Sequence, residues 1–230
     1  MKVITVANRK GGTGKTATAY NLGFTYALQK KKVCFLDIDS QANLTLLCDQ
    51  DAISLEAFKS VEIEGVNSLI DILPATKRFN MLENEINQLL DRNAYFRTTI
   101  VPKITGYDYL IIDTPPALNI LNINAFCVSD HVHIVMSAVY FSISAITEMK
   151  DILEQIKGIN PKLEYGLVLN AYFKNRTLTD NMLELLHQEP TFSGIEIPYR
   201  QHVQNSITLK KPALEHPDVQ KPFTQLAALV

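Results

Sequence analysis

Long apolar runs are missing from this sequence. No stretch approaches the ~20 residues that a membrane-spanning helix needs. The first apolar run, residues 3–7, is too short for the core of a signal peptide. Both absences make a soluble cytosolic protein the expectation. Cysteine is scarce: Cys34, Cys48 and Cys127 stand far apart and form no C-x-x-C. An odd count at that spacing argues against a disulfide framework and for a reducing compartment. Cys34 lies inside an apolar run and reads as a small core hydrophobe. An excess of one charge is also lacking. Lys and Arg number 22 against 24 Asp and Glu, and the pI is near 6.2. That balance suggests no dedicated nucleic-acid coat, though it permits a local basic patch. Linkers rich in Pro, Gly or Ser, repeats and low-complexity tracts do not occur. The 230 residues, 47% hydrophobic, are therefore read as one α/β domain, 1–230, with a large core.

Glycine is sparse as well, nine in all, yet Gly11, Gly12 and Gly14 crowd into four positions. The apolar run 3–7 leads into them and a helical pattern, 16–28, leads out. Strand, glycine-rich loop and helix is the context that makes a glycine motif a phosphate site. Glycines let the backbone fold into a concave turn with N–H groups pointing inward. The helix N-terminus adds its positive end there. Lys15 supplies a cation for β- and γ-phosphates, and the Thr16 hydroxyl is placed to ligate Mg²⁺. The usual pattern G-x-x-x-x-G-K-[ST] asks for glycine at position 9. This chain has Arg9, then an extra lysine, Lys10.

Two acidic stretches belong with this loop. Residues 33–36 read as a buried parallel strand. It ends in Asp37-Ile38-Asp39-Ser40-Gln41-Ala42-Asn43-Leu44-Thr45. Ligands gather at the carboxyl ends of such strands, so Asp37 and Asp39 should face the glycine loop's crevice. Two carboxylates beside a phosphate make sense if one helps hold Mg²⁺ and the other orients water. Further on, the apolar run 109–112 ends in Asp113-Thr114-Pro115-Pro116, and Pro-Pro forbids the strand from continuing. Asp113 is thereby delivered to the Mg²⁺ end of the crevice.

These motifs resemble those of the ParA/MinD family of ATPases. Lys10-Gly11-Gly12-Thr13-Gly14-Lys15-Thr16 is similar to its deviant Walker A box, K-G-G-x-G-K-T. Asp37 to Thr45 resembles its switch I box, D-x-D-P-Q-x-N-x-T, with Ser40 in place of proline. Asp113-Thr114-Pro115-Pro116 resembles its D-x-P-P. The fold implied is a doubly wound, mostly parallel β-sheet flanked by helices. The cofactors implied are ATP and Mg²⁺. The resemblance gives catalytic roles to Lys10, Lys15 and Asp39. Lys10 reaches across a dimer interface to the partner's nucleotide, and Asp39 positions the attacking water. Thr16, Asp37 and Asp113 form the metal set. The nucleotide-binding set adds Gly11, Gly12, Thr13, Gly14, Ala17 and Asn170, with Pro198 near the adenine pocket. Ala17 and Ser144 stand where relatives carry Thr and Glu.

The remaining chain reads as sheet and cover. Strands are expected at 68–73, 132–136, 163–169 and 195–198. Helices are expected at 53–59, 80–90, 95–101 before Pro102, 117–128, 140–157, 178–188 and 222–229. His131 and His133 alternate onto one strand face. With no third ligand in view they read as satisfied or exposed histidines. Arg176 matches a family arginine that contributes to non-specific DNA binding. Arg200, Lys210 and Lys211 join it as candidate DNA contacts, while His202 takes the place of a second arginine. The function implied is a ParA-like partitioning ATPase. It forms a homodimer on binding ATP, holds DNA non-specifically and answers to a ParB-like centromere-binding partner. A MinD-like membrane-surface ATPase is the alternative. The last helix lacks a basic amphipathic character, so stable membrane association is not expected. A reductase like the nitrogenase iron protein would need paired cysteines that this chain lacks.

Overall fold

The computed structural model describes residues 1–48, 59–60, 69–75, 78–137, 143–172, 183–199, 203 and 208–230. Eight strands form one sheet: β1 (Lys2–Ala7), β2 (Val33–Asp37), β3 (Lys59–Ser60), β4 (Ile70–Leu73), β5 (Tyr109–Asp113), β6 (His131–Ser137), β7 (Glu164–Tyr172) and β8 (Phe192–Pro198). Their order is β3-β4-β2-β5-β1-β6-β7-β8. Seven strands run parallel, and the two-residue β3 pairs antiparallel with β4 at one edge. This is the doubly wound sheet the sequence implies. Every residue of β2 is buried, as expected of a parallel strand covered on both faces.

The chain leaves β1 toward β2 on one side and later crosses to β6 on the other. The carboxyl end of β1 is therefore the topological switch point, where such sheets open a ligand crevice. Helix α1 (Lys15–Leu28) starts there. It is buried almost all round, because the sheet, α2 (Asn43–Leu47) and the last helix α6 (Pro217–Ala227) enclose it. Helices α3 (Arg78–Asn87), α4 (Ile120–Val128) and α5 (Ile143–Lys157) complete the cover.

Several element boundaries move for identifiable reasons. The last helix begins at Pro217 rather than Pro222. Pro217 takes the first-turn position that tolerates proline, and Pro222 lies inside the helix. Burial of Val219, Phe223 and Leu226 offsets the hydrogen bond that Pro222 cannot donate. Helix α4 begins three residues late because Asn119 caps it. The Asn119 side chain accepts from Leu121 N and Asn122 N, and Asn122 returns the bond to Asn119 N. The helix expected at 95–101 is a π-turn, Phe96–Ile100, followed by a 3₁₀ turn, Val101–Lys103. Pro102 sits early in that turn, where its missing N–H is not needed, and Ile104 N closes it on Val101 O. Lys59, expected in a helix, is in β3. The rest of that helix, Arg176, Arg200, His202 and the start of the 178–188 helix lie outside the described residues.

Cys34 is fully buried, as expected. The two histidines are a correction. His131 and His133 are buried on β6, their rings 4.5 Å apart, and no ring nitrogen has a hydrogen-bond partner among the described residues. They share a strand face with Val135, part of a buried apolar cluster, which a strand-alternation argument could not see. Burial lowers the pKa of His131 to about 4, with Glu164 opposing and Lys2 assisting. Burial and His131 together lower His133 well below its usual value.

Both rings are neutral in the fold and take up protons once unfolded. Their contribution is intact above about pH 6.5 and is lost as pH falls below it, by ~1.4 kcal/mol per unit for each ring. We expect His133→Leu to lose less stability than the natural chain between about pH 7.5 and about pH 5.5, by ~1.4 kcal/mol. Denaturant titration at the two pH values measures this, and equal losses would mean that the folded chain already protonates His133.

Candidate functional site

The glycine loop is fixed from both sides. Asn8 Nδ2 donates to Val135 O at 2.6 Å, and Asn8 Oδ1 accepts from Lys10 N at 2.9 Å. Gly12 and Gly14 have φ of 73° and 87°, in the left-handed region that glycine adopts without strain. Gly14 is required on a second count. A Cβ there would stand 1.9 Å from Asn170 Nδ2, which donates to Thr13 O at 2.9 Å. Asn170 therefore clamps the loop from the end of β7. The first hydrogen bond of α1 runs from Thr18 N to Gly14 O. The amides of Lys15, Thr16 and Ala17 are left at the helix end without an intrahelical acceptor, ready for an anion.

Lys15 is buried, and its Nζ donates to Lys10 O at 3.1 Å. Burial lowers its proton affinity, while Asp113 and Asp39 raise it. Lys10 lies on the exposed side of the loop. Its neighbour Arg9, where the common pattern has glycine, forms an ion pair with Glu148 of α5. Glu148 stands one helical turn beyond Ser144.

Asp37 and Asp113 face each other across β2 and β5 as register partners. Asp37 is fully occupied by its own chain. Its Oδ1 accepts from Asp39 N at 3.1 Å, and its Oδ2 accepts from Thr45 N and Thr45 Oγ1 at 2.9 and 2.8 Å. Burial raises its pKa to about 6, with the Thr45 bonds opposing. Asp37, which the resemblance places in the Mg²⁺ water shell, also anchors the 38–45 loop. Asp39 Oδ1 accepts from Gln41 N, and its backbone O accepts from Ala42 N. These side-chain turns supply the order that a proline at Ser40 would give.

Asp113 is fully buried, and neither carboxylate oxygen has a close hydrogen-bond partner among the described residues. Burial, then Asp37, raises its pKa well above the usual range, while Thr16 and Lys15 lower it. Two orphaned carboxylate oxygens beside a threonine hydroxyl suit a hard divalent cation, which takes oxygen ligands. Thr16 and Asp113 are the residues that fit Mg²⁺.

A cavity of about 560 Å³ opens over the loop. Gly11, Gly12, Gly14, Lys15, Thr16 and Ala17 form one wall. Asp39, Gln41 and Pro116, with Asn43, Leu46 and Leu47 of α2, form another, and Lys210 completes it. Asn170 holds the loop without lining this cavity, and Pro198 lies buried at the end of β8, three strands from β1. Lys211 is exposed beside Lys210. Sequence reasoning missed Leu46, Leu47 and the Asn170 clamp. The Asp37–Thr45 tie had a signal, since both residues belong to one motif.

Comparisons with known proteins show what the whole chain is similar to. Residues 1–165 match the family model described as AAA domain. The chromosome partitioning protein ParA of Caulobacter vibrioides is 29% identical over 235 residues, covering 93% of this chain and 86% of that protein. The sporulation initiation inhibitor protein Soj of Bacillus subtilis is 31% identical over 193 residues, covering 76% of this chain and 74% of that protein. A plasmid partition protein from Borrelia burgdorferi, crystallised with AMPPNP, superposes with a TM-score of 0.82 at 23% identity. That match covers 99% of this chain and 98% of the other, and it shows a common fold.

Removing the buried charge at Asp113 separates its cost from its use. Asp113→Asn should raise the ligand-free melting temperature by a few degrees, about 1–2 kcal/mol. It should also erase the stabilisation that Mg²⁺ adds to a nucleoside triphosphate. Thermal unfolding with and without each ligand checks both effects, and an undiminished Mg²⁺ effect would remove Asp113 from the cation site.

Proposed function

This chain belongs to the ParA/MinD family of ATPases, and we propose that it is a DNA-partitioning member acting as an ATP-joined dimer. One observation carries the reading. Helix-end amides, a buried lysine and three acids meet at one strand-end crevice, the equipment for holding a triphosphate and its cation.

ATP rests its β- and γ-phosphates on the loop amides, and Lys15 turns from Lys10 O to meet them. Thr16 and Asp113 would hold Mg²⁺, which would supply positive charge against the phosphate oxygens. Asp39, in the cavity wall, orients the attacking water. Lys10, on the loop's outer face, neutralises phosphate charge across the interface with a second copy. Asp37 holds the 38–45 loop in place through Thr45 rather than touching the cation. Ser40 leaves that hold to side chains, so hydrolysis is slow until a ParB-like partner braces the loop.

The dimer binds DNA by counterion release, weakly and without sequence choice, and hydrolysis releases it. Lys211 is an exposed cation suited to this, and Arg176 and Arg200 are proposed with it from their sequence positions. Nucleoid association follows from such binding. The apolar side of α6 is packed into the core through Val219, Phe223 and Leu226, which counts against its use as a membrane anchor. No helix among the described residues is long and apolar enough to cross a membrane.

The reading predicts that the chain retards unrelated duplex DNA with ATP and Mg²⁺ but not with ADP. Retention should fall by ~10- to 100-fold between about 50 and about 200 mM salt. Electrophoretic mobility measures it. ATP-independent or absent DNA binding, with co-sedimentation on anionic liposomes, would favour the membrane-surface alternative.

A further inference from the structure

We propose that Lys210 is a ligand of the nucleotide, gripping it at the α-phosphate end of the cavity. This rests on the ATP reading above and adds a contact from a distant part of the chain. Lys210 lines the same cavity as Gly12, Lys15, Thr16 and Ala17.

Its position is built rather than incidental. The hydroxyl of Tyr20, a fully buried residue of α1, donates to Lys210 O at 3.0 Å. Asn21, the next residue of that helix, uses both ends of its side chain. Its Nδ2 donates to Ala17 O at 2.8 Å, and its Oδ1 accepts from Ala213 N at 2.8 Å. Tyr20 and Asn21 lie three and four positions after Ala17, on the same side of the helix. The segment 210–213 is thereby fastened to the first turns of the helix whose N-terminus forms the anion cup.

The backbone gives an independent indication. Lys210 has φ of 52°, one of three positive values among the described non-glycine residues. That conformation is disfavoured for a side chain like lysine, and such outliers cluster at ligand clamps. Glycine or asparagine would adopt it with less strain. A lysine held there adds a cation to the cavity mouth.

The chemistry of the wall supplies the reason. The glycine loop and Lys15 serve the β- and γ-phosphates. The next position along, Ala17, offers a methyl group and no side-chain donor. The α-phosphate at that end would otherwise meet backbone amides alone. An ammonium group on a flexible stem suits a phosphate approached from the open side. Lys210 is exposed, so its neighbour Lys211 and the DNA-facing surface compete for the same assignment.

Calorimetric titration of the full chain with ATP and with ADP, both with Mg²⁺, decides between them. Lys210→Gln should weaken both nucleotides alike, by roughly tenfold. Lys210→Arg should bind near the natural level, and so should Lys221→Gln, the same charge loss at an exposed site on α6. Unchanged affinity in Lys210→Gln would overturn the proposal, as would a loss confined to ATP, which would put the contact at the γ-phosphate. Intact nucleotide binding with lost DNA retention would also overturn it and return Lys210 to the DNA surface. A natural chain that binds neither nucleotide would overturn the ATP reading itself, a result distinct from the other three.

Discussion

Three charged groups are buried where β1, β2 and β5 end, and their desolvation is the constraint around which the site is built. Asp37, Asp113 and Lys15 each lose water that would stabilise their charge. Asp37 recovers it from three donors, two of them on Thr45. Lys15 recovers part from Lys10 O and from the acids around it. Asp113 has no close hydrogen-bond partner among the described residues and is left with the nearby Thr16 hydroxyl and the charge of Lys15. A buried carboxylate without a partner is destabilising, so the surrounding sheet must hold it in place. The fully buried β2 and the neighbouring β5 and β1 do so. Stability is given up at the point where a cation and an anion would restore it, which is how binding sites often differ from cores.

Helix α1 carries that constraint to the far end of the chain. Three of its buried residues each meet a C-terminal backbone group. Tyr20 bonds to Lys210 O, Asn21 to Ala213 N and Tyr26 to Ala227 O. Tyr26 also stacks on Tyr109 of β5, ring centroids 3.7 Å apart. A helix whose only task was to cover the sheet would use apolar residues at these places. Here the helix that follows β1 and residues 210–227 share one set of hydrogen bonds. Order at the phosphate cup and order in the C-terminal segment are thus linked through a single rigid element.

Much of this was legible in the sequence because the informative residues lie close together. Residues 10–16, 37–45 and 113–116 are short, and each follows an apolar run that can only be a buried strand. Their chemistry and their common crevice follow from that pattern. What was not legible depends on partners far along the chain. The clamp of Asn170 on Thr13 joins the end of β7 to the glycine loop, and no local signal marks it. The tie of Asp37 to Thr45 lies inside one motif, yet the spacing alone does not show which of its residues fold back onto the carboxylate. The burial of His131 and His133 depends on what packs against the strand face they share with Val135, which strand alternation does not encode.

Arg9, where the common phosphate-loop pattern has glycine, and Ser40, where the family's box has proline, share a physical meaning. Glycine at position 9 and proline at position 40 would shape the loops through backbone geometry alone. Arg9 and Ser40 do not, and in both places side chains take over the task. Arg9 is tied to Glu148 on α5, and the loop after Asp37 is tied by the carboxylates of Asp37 and Asp39. A backbone constraint is indifferent to what occupies the site. A tie made by carboxylates is not, since the same groups answer to every charge brought into the crevice. The Arg9 pair is exposed and weak on its own, so it can yield when another charge approaches. In this chain the order of the catalytic loops is therefore coupled to the ligands they would hold, through electrostatics that proline and glycine would have left out.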